Sequence, residues 1–396
     1  MDGSSAEGTV AENGSPPTNR FSIGLSSTGV FLISLAIQAI GLGATFFLAR
    51  NIGFNAEGKA LLGTVQLYLI IASSINGIGD LRIGTAYVFF VARGRNATEI
   101  TGTYLVLRLG MVAVAGVFLF LLGVVPGTGF TWAHTSDQIA VLAVFMVLPI
   151  LWSIQTVYTQ LTVAQGNSTR GQLPLLVESL VRTPILVWAA FENRTLEALT
   201  LAYAAGAVAS TLMSLPAVAR NTRAFSRSEA VALFRYAWPL MGSLALLYLA
   251  NNTAPLIVNA DVGTVGLNEF LAANAWRILA LSLPAAVAIP LFPHLSGLHR
   301  QGEFETVRAA TWKALRYTAM IVIPGVIALI TYRSNLLNIT TNATYVPVAA
   351  YPLAILAASV IPAALSQIIG TSLNAIGRQR LELYLTSLQV VALFGT

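Results

Sequence analysis

Six charged residues lie well inside long apolar runs of this 396-residue sequence, and they are its strongest candidates for chemistry. Four are arginines and two are acids: Asp80, Arg82, Arg108, Glu178, Arg182 and Arg277. A charge inside an apolar run is costly to desolvate, and it usually faces a cavity or a partner charge. Because the arginines outnumber the acids four to two, the set indicates a basic cavity. A basic cavity suits an anionic ligand such as a phosphate, whose oxygens match the planar donor fork of arginine.

Arg277 is the deepest of these charges, and no acid lies within four residues of it. We predict that it lines a cavity together with Arg82, Arg108 and Arg182. Two alternatives stay open for the shallower arginines. Arg108 lies about one turn from a helix end and could extend its side chain to the surface, and Arg182 could be a structural partner of Glu178.

Glu178 and Arg182 are four residues apart, so a helix places them on one face. Their spacing fits a structural ion pair. It also fits a carboxylate whose protonation couples to an ion gradient, and we consider Glu178 and Asp80 for that role. Asp80 and Arg82 are only two apart and should point to different sides of their helix. Gly77, Gly79 and Gly84 surround them and indicate a bend.

Several kinds of catalysis have no basis in this sequence. It contains no cysteine and only three histidines, none spaced to share a metal ion with another. It contains no phosphate-binding GxxxxGK[ST] loop and no Asp-x-Asp motif. We therefore predict no catalytic residues, no metal and no cofactor.

The surroundings of the six charges predict a polytopic, all-α membrane protein. Of all residues 56% are hydrophobic and only 10% are charged, far fewer charges than a soluble domain carries. Ten apolar runs and the start of an eleventh predict membrane spans: Thr28–Leu48, Leu61–Ala92, Tyr104–Val125, Ile139–Thr159, Leu173–Phe191, Leu199–Val218, Ala237–Asn259, Asn268–Phe292, Ala314–Tyr332, Val346–Leu373 and, from near Leu383, a span within which the sequence ends. Span 2, about 32 residues or roughly 48 Å long, must bend or project from the bilayer.

Arginine-rich loops alternate with loops that carry few basic residues. The rich set includes Arg93, Arg170 and Arg378, together with the stretch from Arg220 to Arg235. This asymmetry predicts a multi-pass protein of the plasma membrane with these loops and the N-terminus in the cytoplasm. The net charge of +6 is thereby explained by orientation and does not indicate nucleic-acid binding.

Glycines that follow predicted spans recur at a nearly constant offset along the sequence, which indicates two similar halves. Gly94 and Gly302 follow equivalent spans 208 residues apart, and Gly166 and Gly377 are 211 apart. A duplicated six-helix unit would give a parallel repeat. We predict a disordered cytoplasmic tail (1–24), an N-terminal lobe (25–219), a linker (220–235) and a C-terminal lobe (236–396) that is incomplete. The linker could form an amphipathic helix on the inner leaflet.

Four segments carry a family resemblance: Ala49-Arg50-Asn51-Ile52-Gly53, the glycine-rich stretch from Gly77 to Gly84, Arg235-Tyr236-Ala237-Trp238-Pro239-Leu240, and Leu373-Asn374-Ala375-Ile376-Gly377-Arg378. The chain after residue 25 resembles the polysaccharide (Wzx-type) flippase branch of the MOP exporter superfamily, whose relatives include the MATE exporters. Members usually have twelve or fourteen helices, so this chain departs from the pattern.

The resemblance implies two six-helix lobes around a central cavity. It implies a transporter that moves an oligosaccharide, linked to polyprenyl phosphate or pyrophosphate, from the cytoplasmic to the outer leaflet. Expected partners are this substrate, membrane lipids and H⁺ or Na⁺; we expect a monomer that could associate with glycan-assembly enzymes. Two alternatives stay open. One is a MATE-like drug/ion antiporter, for which a basic cavity is unfavourable. The other is a membrane-embedded glycosyltransferase or polymerase, for which the first outer loop offers only Glu57 and no outer domain could hold a sugar donor.

Overall fold

The computed structural model describes residues 20–125, 133, 135–341 and 343–394, and all regular secondary structure within them is helical. Residues 1–19 of the predicted tail lie outside this part, as do most residues of the loop after span 3, whereas residues 20–24 already belong to the first helix. The helices are α1 (Arg20–Asn51), α2 (Ala56–Asp80), α3 (Ile83–Ala92), α4 (Ala97–Val124), α5 (Ser136–Ala164), α6 (Ser168–Gly171), α7 (Leu173–Glu192), α8 (Leu196–Arg220), α9 (Arg227–Arg300), α10 (Phe304–Thr331), α11 (Arg333–Thr340), α12 (Val346–Ala375) and α13 (Gln379–Phe394).

Nine helical segments in the described part are long and apolar enough to cross a membrane. They correspond to spans 1–6 and 8–10, which confirms the polytopic all-α prediction. The first part of α9 and the 16-residue α13 are not among the nine. The predicted total of about eleven crossings therefore stays a prediction.

The 74 residues of α9 form two arms that meet at Gly263, where φ is 75° and ψ is −173°. A straight helix of this length would extend about 110 Å, far more than a bilayer is thick. Both of its ends approach the loop between α3 and α4. Arg95 Nη1 lies 2.8 Å from Glu229 Oε2 near the start of α9, and Arg300 Nη1 at its end lies 3.4 Å from the Cβ position of Gly94. The chain therefore doubles back at Gly263, and the two arms are spans 7 and 8.

Span 2 is broken, as its length predicted. Leu81 and Arg82 separate α2 from α3, with φ values of 39° and 61°. Left-handed backbone is uncommon for residues other than glycine and costs of order 1–3 kcal/mol at each position. The surrounding contacts must compensate for this cost.

Four helices end at the same glycine motif. In each, a glycine with φ between 79° and 94° follows the helix: Gly94 after α3, Gly166 after α5, Gly302 after α9 and Gly377 after α12. Its N–H donates to the carbonyl three residues back, and the next N–H donates to the carbonyl five residues back. This is the Schellman pattern, in which glycine supplies the left-handed conformation. The glycines are those of the predicted repeat, so equivalent spans of the two halves end alike. The lobe boundaries themselves stay a prediction.

We call the end of the bundle that holds these four glycines the basic end, and the other the opposite end. A core cluster at the basic end contains residues of both halves, including Ile83, Tyr87, Leu233, Leu295 and Ala375. The outer face of α4, by contrast, exposes Val114, Phe118 and Leu121. An apolar face of this kind suits contact with lipid.

Candidate functional site

Asp80 and Arg108 form the centre of a buried polar network in the N-terminal half. Arg108 Nη1 lies 2.6 Å from Asp80 Oδ1, and the hydroxyl of Tyr104 donates to the same oxygen at 2.8 Å. The second amino group of Arg108 donates to the side chains of Asn76 and Thr156. Arg108 is only 1% exposed, so it does not reach the surface at all. The network ties the broken end of α2 to α4 and α5.

The break between α2 and α3 points the side chain of Arg82 away from Asp80 and toward the C-terminal half. Its Nη2 lies 3.7 Å from Glu382 Oε1 on α13, in the C-terminal half. Asp80 therefore pairs within its own half, whereas Arg82 pairs across to the other half. The prediction that these two side chains point to different sides is confirmed, and the left-handed residues at the break are what separate them.

Glu178 and Arg182 make the pair that their spacing predicts. Glu178 Oε1 lies 3.6 Å from Arg182 Nη1, and Glu178 is buried. The guanidinium of Arg182 also lies over the ring of Tyr203 on α8, 5.2 Å from its centre. Gly206 allows this close approach of α8, because a Cβ there would lie 3.0 Å from the backbone oxygen of Glu178. The contacts fit the structural reading of the pair, and ion coupling stays a hypothesis.

Arg277 lies on the second arm of α9 and is partly buried. Its Nε donates to the hydroxyl of Ser359 on α12 at 3.2 Å. The preceding residue, Trp276, stacks on Phe46 of α1 with ring centres 5.4 Å apart. Arg277 thus lies where α9 of the C-terminal half packs near α1 of the N-terminal half. The two acids among the six predicted charges, Asp80 and Glu178, pair with Arg108 and Arg182.

A second contact between the halves lies at the opposite end. Lys59 Nζ on α2 is 2.7 Å from Glu269 Oε1 on α9, and both side chains are about 90% buried. The ammonium also lies 4.6 Å from the ring centre of Tyr345, whose hydroxyl donates to Asn268. Gly63 brings the backbones together here, because a Cβ on it would overlap the backbone of Thr264.

Three of these charged residues are not among the six that the sequence singles out: Lys59, Glu269 and Glu382. Lys59 lies two residues before the predicted start of span 2. Their partners lie 210 and 300 residues away in the chain, so no helical spacing reveals the pairs. Arg108 pairs with Asp80, Arg182 with Glu178 and Arg82 with Glu382. Adding Glu382 to the six charges singled out in the sequence leaves four arginines against three acids.

Comparison with known proteins agrees with this architecture. The sequence profile of a family described as "Polysaccharide biosynthesis protein" matches residues 62–350. The chain belongs to this family. A relative from Haloferax volcanii, described as "Probable low-salt glycan biosynthesis flippase Agl15", is 24% identical over 363 residues, which are 88% of this chain and 71% of the relative.

Solved MATE transporters share the fold of this family member. A mutant of the Vibrio cholerae transporter VcmN superposes with a TM-score of 0.73 at 16% identity, covering 94% of this chain and 89% of VcmN. A MATE transporter in complex with MaL6 gives 0.71 at 14% identity, with 94% and 86% covered. The protein is a multi-pass membrane protein of this polysaccharide biosynthesis family, and it has a MATE-like fold, as the sequence resemblance implied.

Proposed function

We propose that the protein is a flippase that moves an oligosaccharide linked to polyprenyl phosphate or pyrophosphate from the cytoplasmic to the outer leaflet. It would do so by alternating access, for surface polysaccharide or glycan assembly. The family description and that of the Haloferax relative support a glycan pathway. The lipid tail would stay in the bilayer while the charged head crosses between the halves. We propose no catalytic step for the chain itself.

The observation that carries the proposal is the position of Arg277 between two charged contacts of the halves. Lys59–Glu269 joins the halves at the opposite end, and Arg82–Glu382 joins them nearer the basic end. Arg277 lies eight residues beyond Glu269 on the same helix, which places it roughly 12 Å farther from the opposite end. A transporter of this kind needs a closure at each end and a binding group between them, and arginine suits a phosphate.

Reconstitution tests the proposal directly. Vesicles containing the purified protein would carry a fluorescent sugar on polyprenyl pyrophosphate in both leaflets, and a membrane-impermeant quencher would be added outside. Flipping brings inner-leaflet probe to the outer leaflet, so we expect quenching to proceed beyond half. A fluorescent phospholipid is the control and should stop at half. Equal quenching in protein-free vesicles, or no quenching beyond half with protein, would contradict a flippase of this substrate class.

The second candidate is an antiporter of drugs and ions, because the similar solved structures are MATE transporters. Asp80 and Glu178 are the carboxylates that H⁺ or Na⁺ could use. The charge of Arg277 near the contact between the halves disfavours a cationic drug there, since like charges repel. Drug-dependent proton movement in the same vesicles, with no flipping, would favour this candidate.

We further propose that the protein resides in the plasma membrane as a monomer, with the basic end and the N-terminus in the cytoplasm. The absence of native cysteine permits a clean test. Single cysteines at Arg93, Arg170, Ser226 and Arg378 should resist an impermeant maleimide in intact cells, and one at Asn338 should react. Thr128, the other residue predicted outside, lies beyond the described residues. Labelling of the first group without lysis would reverse the orientation.

A further inference from the structure

A basic pocket of about 770 Å³ lies at the basic end. Its walls come from α3, the start of α9, the turn after α12 and the start of α13. Phe90 is the contribution of the N-terminal half, and Tyr236 faces it with ring centres 5.8 Å apart. The volume is in the range of pockets that bind drug-sized ligands, and it is large for a single phosphate.

Three arginines line this pocket: Arg235, Arg378 and Arg380. No acid lies among the residues that line it in the described part of the chain. The nearest acids in sequence are already paired, since Glu229 contacts Arg95 and Glu382 contacts Arg82. The pocket therefore presents concentrated positive charge, which complements a ligand carrying two or more negative charges.

An apolar groove of about 440 Å³ continues from the pocket along the outside of α9. The two share Val231 and Arg235, and the groove extends to Phe234 and Trp238. Arg227 and Ala230 complete its lining. Residues 231, 234 and 238 follow the spacing of one helix face, and Trp238 is 72% exposed. Charge at one end and an apolar track at the other match a lipid whose head carries phosphate.

We propose that the pocket and groove form a loading site for the polyprenyl-linked substrate before it enters the space between the halves. The phosphates would bind the three arginines, the first sugar would lie against Phe90 and Tyr236, and the polyprenyl chain would follow the groove. The inference rests on the proposed function. Charge favours this occupant over an ordinary phospholipid, because three arginines exceed what a single phosphodiester neutralises.

The place of the pocket agrees with a loading role. Glu382 lies two residues beyond Arg380, so α13 directs one charge to Arg82 between the halves and another to the pocket. Tyr236 also closes the contact between the halves, with its ring 4.3 Å from that of Phe89 and its hydroxyl donating to the carbonyl of Asn374. A head group bound here lies next to the contact that must open.

Direct binding tests the inference with the full chain in detergent and a C55 polyprenyl phosphate as the probe. The pocket variant is Arg235→Gln, Arg378→Gln and Arg380→Gln together. The matched control is Arg170→Gln, Arg300→Gln and Arg308→Gln, which removes three cations from the same end outside the pocket. We expect the pocket variant to bind roughly 100-fold more weakly, since each arginine adds several-fold to anionic-lipid binding. The control should bind like the wild type.

Two further measurements separate the parts of the site. Trp238→Ala should weaken binding of the C55 probe and leave a C15 farnesyl phosphate nearly unaffected, because the shorter chain uses less of the groove. Dioleoyl phosphatidylglycerol should compete poorly with the probe. If the triple variant does not fold, Arg380→Gln alone should still weaken binding about fivefold.

Three outcomes would overturn the loading site. Equal affinity of the pocket variant and the control would mean that the arginines only orient the protein in the membrane. Competition by phosphatidylglycerol at the affinity of the probe would indicate an ordinary lipid site. Full flipping by a pocket variant that no longer binds the probe would exclude loading while leaving the proposed function intact, whereas absence of flipping by the wild type would contradict that function itself.

Discussion

Arg277 donates a hydrogen bond to Ser359 on α12 and lies between the Lys59–Glu269 and Arg82–Glu382 contacts of the two halves. Under the proposed function, Arg277→Ala removes a charge-assisted contact to the substrate. We expect flipping to fall by about 10-fold or more, the equivalent of roughly 1.5 kcal/mol. Arg277→Lys should keep part of the activity, because the charge remains while the planar fork is lost.

The control for Arg277 is Arg316→Ala on α10, whose side chain is exposed. It should leave both flipping and protein level unchanged. A purely structural Arg277 predicts the reverse order of effects, in which Arg277→Ala lowers the amount of folded protein before any loss of transport per molecule. A well-folded and fully active Arg277→Ala protein would exclude both roles.

The Glu178–Arg182 pair gives a stability prediction. Glu178→Gln leaves the partly buried Arg182 without its carboxylate, and we expect the free energy of unfolding to fall by about 1–3 kcal/mol. Glu178→Gln combined with Arg182→Met should recover much of this loss, because no charge is then left without a partner. Thermal unfolding in detergent measures both. A stable Glu178→Gln protein that transports nothing, with no rescue in the double variant, would instead indicate ion coupling.

Residue spacing determined which of these pairs could be predicted from the sequence. Glu178 and Arg182 are one helical turn apart, so periodicity alone places them together. Lys59 and Glu269 meet only because α9 doubles back at Gly263, and Arg82 meets Glu382 only through the packing of α13. An apolar helix carries little information about which neighbour it packs against, and these distant contacts were therefore missed.

At the scale of helices, a single glycine determines where each of four helices ends. A residue with Cβ in the left-handed region costs roughly 1 kcal/mol relative to glycine. Gly166 has φ of 79° and open space around its Cβ position, so backbone strain is the only expected effect of Gly166→Ala. We predict a loss of about 1 kcal/mol in unfolding free energy.

Gly325→Ala is the matched control, because Gly325 is helical and also has open space, and it should cause no loss. Equal melting temperatures for both variants would contradict the cap assignment.

The break in span 2 shows what the sequence could not specify about an element. Its length predicted a bend, and the glycines around Asp80 pointed to the right region. The left-handed residues are nevertheless Leu81 and Arg82, neither of which favours that conformation. Their backbone is fixed by tertiary contacts: the Asp80–Arg108 network holds one side of the break, and Arg82–Glu382 holds the other.

At the scale of the whole molecule, charged contacts join the two halves toward both ends of the bundle. A transporter that alternates between two openings must break one closure while the other stays formed. Under the proposed alternating access, the Lys59–Glu269 contact would be the closure at the opposite end, where both side chains are about 90% buried. Arg82–Glu382 and the packing of Tyr236 on Phe89 hold the halves together toward the basic end.

Locking one of these closures should stop transport. Lys59→Cys with Glu269→Cys in this cysteine-free chain places two thiols where the ion pair was, and a short bifunctional thiol reagent would join them. Removing the ion pair alone should slow or speed flipping only modestly, because it destabilises one state relative to the other. The cross-link, by contrast, forbids the opening altogether, so we expect flipping to fall to background and to return when a cleavable linker is reduced.

Glu305→Cys with Arg308→Cys is the matched control pair. Both residues lie on the exposed start of α10, and joining them constrains a single helix. Continued flipping by the Lys59–Glu269 cross-linked protein would show that the halves do not separate at this end, and it would exclude alternating access through the Lys59–Glu269 contact.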